Sequence, residues 1–127
     1  RCRARQAELA FAAGQPRLRV HFAEELDGEG VLDAVGQACG EGAVVAGFSF
    51  EVVDAQFFRG CGQPSHCALF DPPLLLRLFR LLGRAGVAAL LCGDYNPQEE
   101  DYASGVLFAT LLFELLDARH GLLPPNR

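Results

Sequence analysis

Two apolar runs organise the chain. Residues 43–53 are apolar apart from Ser49 and Glu51, and residues 87–92 are apolar throughout. Short continuous runs of this kind fit strands of a parallel sheet with both faces covered by helices. Residues 17–22 alternate instead, with Leu18, Val20 and Phe22 set against Arg17, Arg19 and His21, which predicts a strand with unlike faces. Helical periods fill the intervals. Residues 6–13 suit a helix closed by Gly14 and Pro16, and residues 30–39 carry Val31, Leu32, Val35 and Cys39 behind Asp27 as N-cap, with Gly40 and Gly42 at the far end. Asp71-Pro72-Pro73 opens a third helix, in which Leu74, Leu75, Leu78, Leu81 and Leu82 face the sheet and Arg77, Arg80 and Arg84 face outward. Residues 102–119 form a last helix with a broad apolar face of Val106, Leu107, Thr110, Leu111, Phe113 and Leu115; Arg119 and His120 suit its C-terminal dipole and Gly121 ends it.

The predicted order is β-α-β-α-β-α, a parallel sheet with right-handed crossovers. Ligands of such sheets bind outside the carboxyl ends of the strands. Carboxylates stand at those ends: Glu51 and Asp54 after the first long run, Asp94 after the second, and Glu24 and Glu25 after the alternating segment. Glu51, Asp54 and Asp94 are therefore expected at one edge of the sheet, in a site suited to a cation or a cationic substrate, while Glu24 and Glu25 read as a solvated strand end. Residues 54–70 make a long loop of the kind that often carries function. No glycine-rich phosphate loop follows a strand, since Gly40-Glu41-Gly42 precedes one.

Composition narrows the reading. A chain of 127 residues, half of them hydrophobic, is one domain's worth of sequence and needs no disulfide to fold. Five cysteines are an odd number, and Cys39 and Cys92 lie inside apolar patterns, so a reducing compartment is expected. The net charge of -5 and a basic cluster confined to Arg1, Arg3 and Arg5 argue against a nucleic-acid partner. Arginines at helical spacing within residues 74–92 argue against a membrane span, and no secretory signal is visible. The chain has no methionine and starts at Arg1, which predicts a piece of a longer product.

From about residue 17 onward the sequence resembles the C-terminal portion of the ureohydrolase family, which includes arginase, agmatinase and formimidoylglutamase. Ser49-Phe50-Glu51-Val52-Val53-Asp54 is similar to that family's Ser-Phe-Asp-x-Asp strand-end signature. Arg59-Gly60-Cys61-Gly62-Gln63-Pro64 resembles the Pro-Gly-x-Gly-x-Pro type of loop that follows, and Gly93-Asp94-Tyr95-Asn96-Pro97 resembles the Glu-x-Asn-Pro segment, somewhat more in the manner of formimidoylglutamase than of arginase. The resemblance implies a three-layer α-β-α fold with a parallel sheet, here as a single partial domain over residues 1–127. It implies hydrolysis of carbon–nitrogen bonds in linear amidines or guanidines by a pair of manganese ions, a small guanidino or formimino substrate, a cytoplasmic location and a homo-oligomer. Carried over position by position, it makes Glu51 a metal ligand, admits Asp54 as a second if the strand bulges, and assigns Asp94 and Asn96 to the substrate.

The departures are as informative. Val53 stands where the second aspartate of the signature belongs, and a valine has no lone pair to give. The family's earlier histidine and its Asp-x-His-x-Asp cluster have no counterpart, because His21, His66 and His120 are isolated. The chain is thus expected to bind manganese poorly and to be a weak or inactive hydrolase. The alternatives are a non-catalytic arginase-fold remnant or oligomerisation subunit, and a generic α/β module that holds one divalent cation. Asp94 and Asn96 serve equally well as an Asx turn before Pro97. Cys61, His66 and Cys67 are zinc-type ligands on one loop, but without a second pair they read as ordinary loop residues.

Overall fold

The computed structural model of the chain describes residues 6–16, 18, 20, 21, 26–40, 42–61, 70–99 and 102–122. Helix α1 covers Gln6–Ala13 and α2 covers Gly28–Cys39. Asp27 starts α2 as expected: its backbone is extended and its carboxylate accepts the Gly30 N–H at 2.8 Å. Strand β1, Val45–Ser49, leads through a 3₁₀ turn, Phe50–Val52, into the long loop. Helix α3, Pro72–Ala85, is opened by the Asp71 carboxylate, which accepts the Leu74 N–H at 2.8 Å, and closed by Gly86 at φ +67°, a left-handed conformation that favours glycine. Strand β2, Ala89–Gly93, and helix α4, Ala103–Arg119, complete the chain.

β1 and β2 pair in parallel, Val45 opposite Ala89 and Ser49 opposite Gly93, with α3 as the crossover between them. The core lies on one side of this pair. Ala46, Phe48, Leu90 and Cys92 point into it, where they meet Leu75, Leu78, Phe79 and Leu82 of α3, Leu111 and Leu115 of α4, and Val31 and Leu32 of α2. Phe48 is its aromatic hinge, edge-on to Phe50, Phe70 and Phe79 at centroid distances of 5.2, 6.0 and 5.5 Å. α3 packs between α2 and α4, and it does so closely: a Cβ on Gly83 would lie 2.2 Å from the Leu115 carbonyl oxygen. The fold is parallel α/β, a partial domain in which the described residues form the sheet and one helical layer.

Several expectations change in detail. The strand predicted over 43–53 stops at Ser49, because the Ser49 hydroxyl accepts the Glu51 N–H at 3.3 Å and tightens the chain into the 3₁₀ turn. Val53 then returns to extended geometry in an isolated parallel bridge with Phe70. Of the alternating segment, Leu18, Val20 and His21 are exposed and lie in no strand; Arg17, Arg19, Phe22, Glu24 and Glu25 fall outside the described residues. Alternation favours a strand only where a neighbour supplies the ladder, and among the described residues β1 pairs only with β2. Loop residues 62–69, with His66 and Cys67, also lie outside them.

The helix faces are narrower than periodicity suggested. In α4, Leu107, Leu111 and Leu115 turn inward, whereas Val106, Thr110 and Phe113 are exposed. Phe79, fully buried in α3, escaped the leucine pattern. The arginines of α3 are not simply solvated. Arg77 forms a two-pronged ion pair with Glu29 of α2, and its guanidinium holds the Glu29 carboxyl below the usual range. Arg80 donates to the Glu114 carboxylate of α4 at 2.6 Å in a half-buried pair. Arg119 donates to the Val87 carbonyl at 2.9 Å, which ties the end of α4 to the entry of β2 instead of capping its own helix.

Candidate functional site

Parallel pairing with Ser49 opposite Gly93 delivers Glu51 and Asp94 to the same edge of the sheet, as the strand order required. A single hydroxyl joins them. Ser49 donates to Asp94 Oδ2 at 2.6 Å while accepting the Glu51 backbone N–H. Asp94 holds this position with its backbone at φ +64°, a left-handed conformation that costs a non-glycine residue on the order of 1 kcal/mol and that aspartate tolerates better than most. The next side chain goes the other way. Tyr95 enters the aromatic cluster, with its centroid 5.7 Å from both Phe58 and Phe108, so the turn sends a carboxylate outward and a ring inward on consecutive residues.

Among the described residues Asp54 is bonded to neither member of this pair. Its carboxylate accepts the Gln56 N–H at 2.9 Å, its own N–H donates to the Phe70 carbonyl, and it lines an open cleft of about 590 Å³ with Asp27, Glu29, Asp71 and Arg77 at the N-termini of α2 and α3. Glu51 does not line that cleft. Val53 is buried at 1 % exposure. Asn96 adopts the Asx-turn geometry: its side-chain oxygen accepts the Gln98 N–H at 3.1 Å and opens a 3₁₀ turn at Pro97–Glu99.

The two strand-end loops are fastened together. The Asn96 N–H donates to the Gly60 carbonyl at 2.7 Å, and Ser104, at the start of α4, accepts the N–H groups of Arg59 and Gly60 at 2.9 and 3.0 Å. Ser104 is a polar residue in an apolar helix to which the sequence pattern assigns no role, and Ser49 is a member of the strand-end signature without a bonding role of its own. Both isolated hydroxyls were the available signal. Replacing Ser104 by alanine should leave both N–H donors without their acceptor and cost roughly 1–3 kcal/mol. Urea unfolding of Ser104→Ala reads this; a midpoint equal to that of the parent would show that the loop is held by other means.

A pair of manganese ions needs several hard oxygen donors converging on one point. The described residues do not fit that requirement. Among the described residues no three His, Cys, Asp or Glu side chains form such a group. Cys92 is no substitute as a nucleophile, because burial pushes its thiol up and away from the thiolate. No helix of the described residues is long and apolar enough to cross a membrane.

Neither a protein-family model nor a curated protein matches the sequence. Solved structures match its fold. Formimidoylglutamase from Bacillus subtilis superposes with a TM-score of 0.76 at 16% identity, over 95% of this chain and 39% of that one. Arginase from Bacillus caldovelox gives 0.74 at 15%, over 87% and 39%, and proclavaminate amidino hydrolase from Streptomyces clavuligerus gives 0.72 at 24%, over 93% and 40%. The chain thus spans about two fifths of the length of these relatives in fold, all of them ureohydrolases. Its fold is that of part of an arginase-like α/β domain.

Proposed function

We propose that the chain is the C-terminal segment of a ureohydrolase-like protein, and that it supplies the substrate-facing edge of the sheet without constituting a hydrolase by itself. The Ser49–Asp94 link carries this reading. Asp94 stands exposed at the carboxyl edge of a parallel sheet, with its backbone at φ +64° and one carboxylate oxygen occupied by a hydroxyl. Among the described residues nothing else bonds that carboxylate, which leaves its second oxygen for a guanidinium or amidinium N–H. Asn96, two residues on, uses its side-chain oxygen in the turn, so its part is to orient the Asp94 loop and to offer its amide group. Glu51 and Asp54 are the carboxylates that the family signature would turn to metal, but among the described residues neither is joined by enough donors to hold an ion.

A second reading is favoured by one observation. Val53 is buried where the signature needs an acid, which supports a non-catalytic arginase-fold subunit in which the metal chemistry has been lost. Calorimetric titration of the chain with manganese at neutral pH is expected to show no binding tighter than about millimolar, because a hard cation needs about six oxygen ligands. Urea or ammonia release from arginine, agmatine and formimidoylglutamate is expected to stay at background. Tight uptake of two ions per chain, or turnover, would overturn the proposal.

A further inference from the structure

Tyr102 breaks three local rules at once. Its backbone lies at φ +82°, ψ −29°, and a residue that carries a ring is strained at such a positive φ, more so than an aspartate. It occupies the N-cap of α4, where Ser, Thr, Asp, Asn or Gly is favoured, and its side chain caps nothing: the helix begins on its backbone alone, with the Val106 N–H donating to the Tyr102 carbonyl at 3.1 Å. The ring is 80 % exposed, so core packing does not offset either cost. Uncompensated strain of this kind clusters at ligand sites, and a residue that weakens its own helix while staying in water has its use outside the fold.

Its place in the fold gives that use. Among the described residues only Asp94 and Tyr102 combine a side chain with a positive φ, and they stand at the two ends of the segment that joins β2 to α4, beyond the carboxyl edge of the sheet. Both ends are pinned to one peptide. Asn96, two residues after Asp94, donates its N–H to the Gly60 carbonyl at 2.7 Å, and Ser104, two residues after Tyr102, accepts the Gly60 N–H at 3.0 Å. Ser104 is itself buried, which fixes that end. An exposed carboxylate and an exposed ring are thus tied to one anchor, as a ligand with a charged head and an apolar stem requires.

We propose that Tyr102 is the specificity-determining residue for the stem of a linear alkylguanidine or alkylamidine whose cationic head is held by Asp94. The inference rests on the proposed role of Asp94. Electrostatics assigns head and stem. The ring stands at the N-terminus of α4, the positive end of the helix dipole, which disfavours a cation, whereas the Asp94 carboxylate attracts one. A tyrosine ring offers a flat, rigid, largely apolar surface at small conformational cost, which suits a row of methylenes.

The test titrates the full chain with methylguanidine and n-butylguanidine, which share a head and differ in stem, and follows binding by the amide shifts around Asp94 and Tyr102. The parent should bind both, and the butyl compound about fivefold more tightly. Tyr102→Gly removes the ring and the strain together, so it should bind methylguanidine as the parent does, lose the preference for the longer stem and melt no lower than the parent. Tyr102→Phe should keep the preference, and Asp94→Asn should weaken both ligands. Equal binding of the two ligands by the parent, a preference that survives in Tyr102→Gly, or a lowered melting temperature of that variant would each overturn the assignment of Tyr102. No binding of methylguanidine, or binding that ignores Asp94→Asn, would instead overturn the reading of Asp94 on which it rests, so the two failures are told apart.

Discussion

Replacing Val53 by aspartate, the change that would complete the strand-end signature, is expected to unfold the chain and not to create a metal site. Val53 is 1 % exposed, bridges Phe70 and belongs to the core beside Phe50 and Phe58. An unpaired carboxylate there costs several kcal/mol, roughly, unless it is protonated. At about 4 °C per kcal/mol for a domain of this size, the melting temperature should fall by more than about 10 °C. The pH dependence has a definite sign. Burial raises the folded-state pKa of the new acid above its unfolded value near 3.9, so the unfolded chain releases its proton first and stability falls as pH rises between the two values. Val53→Asp should thus lie nearest to the parent at about pH 4 and furthest from it at neutral pH. The double variant Glu51→Asp with Val53→Asp should behave the same way and release neither urea nor ammonia from arginine, agmatine or formimidoylglutamate. A melt unchanged at neutral pH without metal would show that position 53 is not buried. Turnover by the double variant would remove the case for a chain that lacks the other ligands.

Substituting Gly83 should be comparably damaging for a different reason. Its missing side chain lets α3 and α4 touch, since an added Cβ would sit 2.2 Å from the Leu115 carbonyl oxygen and 3.0 Å from the Ala118 Cβ. The obstacle is backbone and cannot rotate away. Gly83→Ala must push the two helices apart, loosening Leu111, Leu115 and Leu82 together, at a cost of about 3 kcal/mol or more. Gly36 in α2 provides the contrast. Among the described residues a Cβ there meets only the Leu81 Cδ1 at 3.8 Å, an ordinary contact, so Gly36→Ala should stabilise the chain by about 0.5–1 kcal/mol through helix propensity. Denaturant midpoints of the two variants should move in opposite directions. A destabilisation of the same size in both would mean that the α3–α4 contact is not the cause.

The order of elements from residue 28 onward was legible because each boundary is a local chemical event. Asp27 and Asp71 accept backbone N–H groups three residues on, Pro72 sits where a missing N–H is harmless, and Gly121 adopts a positive φ at the end of α4. Two apolar strands on either side of an amphipathic helix then oblige parallel pairing, and parallel pairing brings Glu51 and Asp94 to one edge. None of this requires knowing what the helices touch. The resemblance of 49–54 and 93–97 to ureohydrolase segments was likewise legible, and the fold of the solved relatives agrees with it.

Tertiary structure decided what periodicity could not. Whether a serine ends a strand depends on where its hydroxyl finds partners, and here the Ser49 hydroxyl that accepts the Glu51 N–H is also engaged by Asp94, 45 residues away. Whether Arg80 is solvated depends on Glu114, 34 residues away on another helix. Which side chains share a cleft with Asp54 depends on helices α2 and α3, whose N-termini bring Asp27, Glu29 and Asp71 beside it. An amino-acid sequence records which positions are apolar but not which neighbour will cover them, and the bare face at Val45 and Leu91 is the clearest case: the strand's composition demanded two covered faces, and only the packing showed that the described residues cover one.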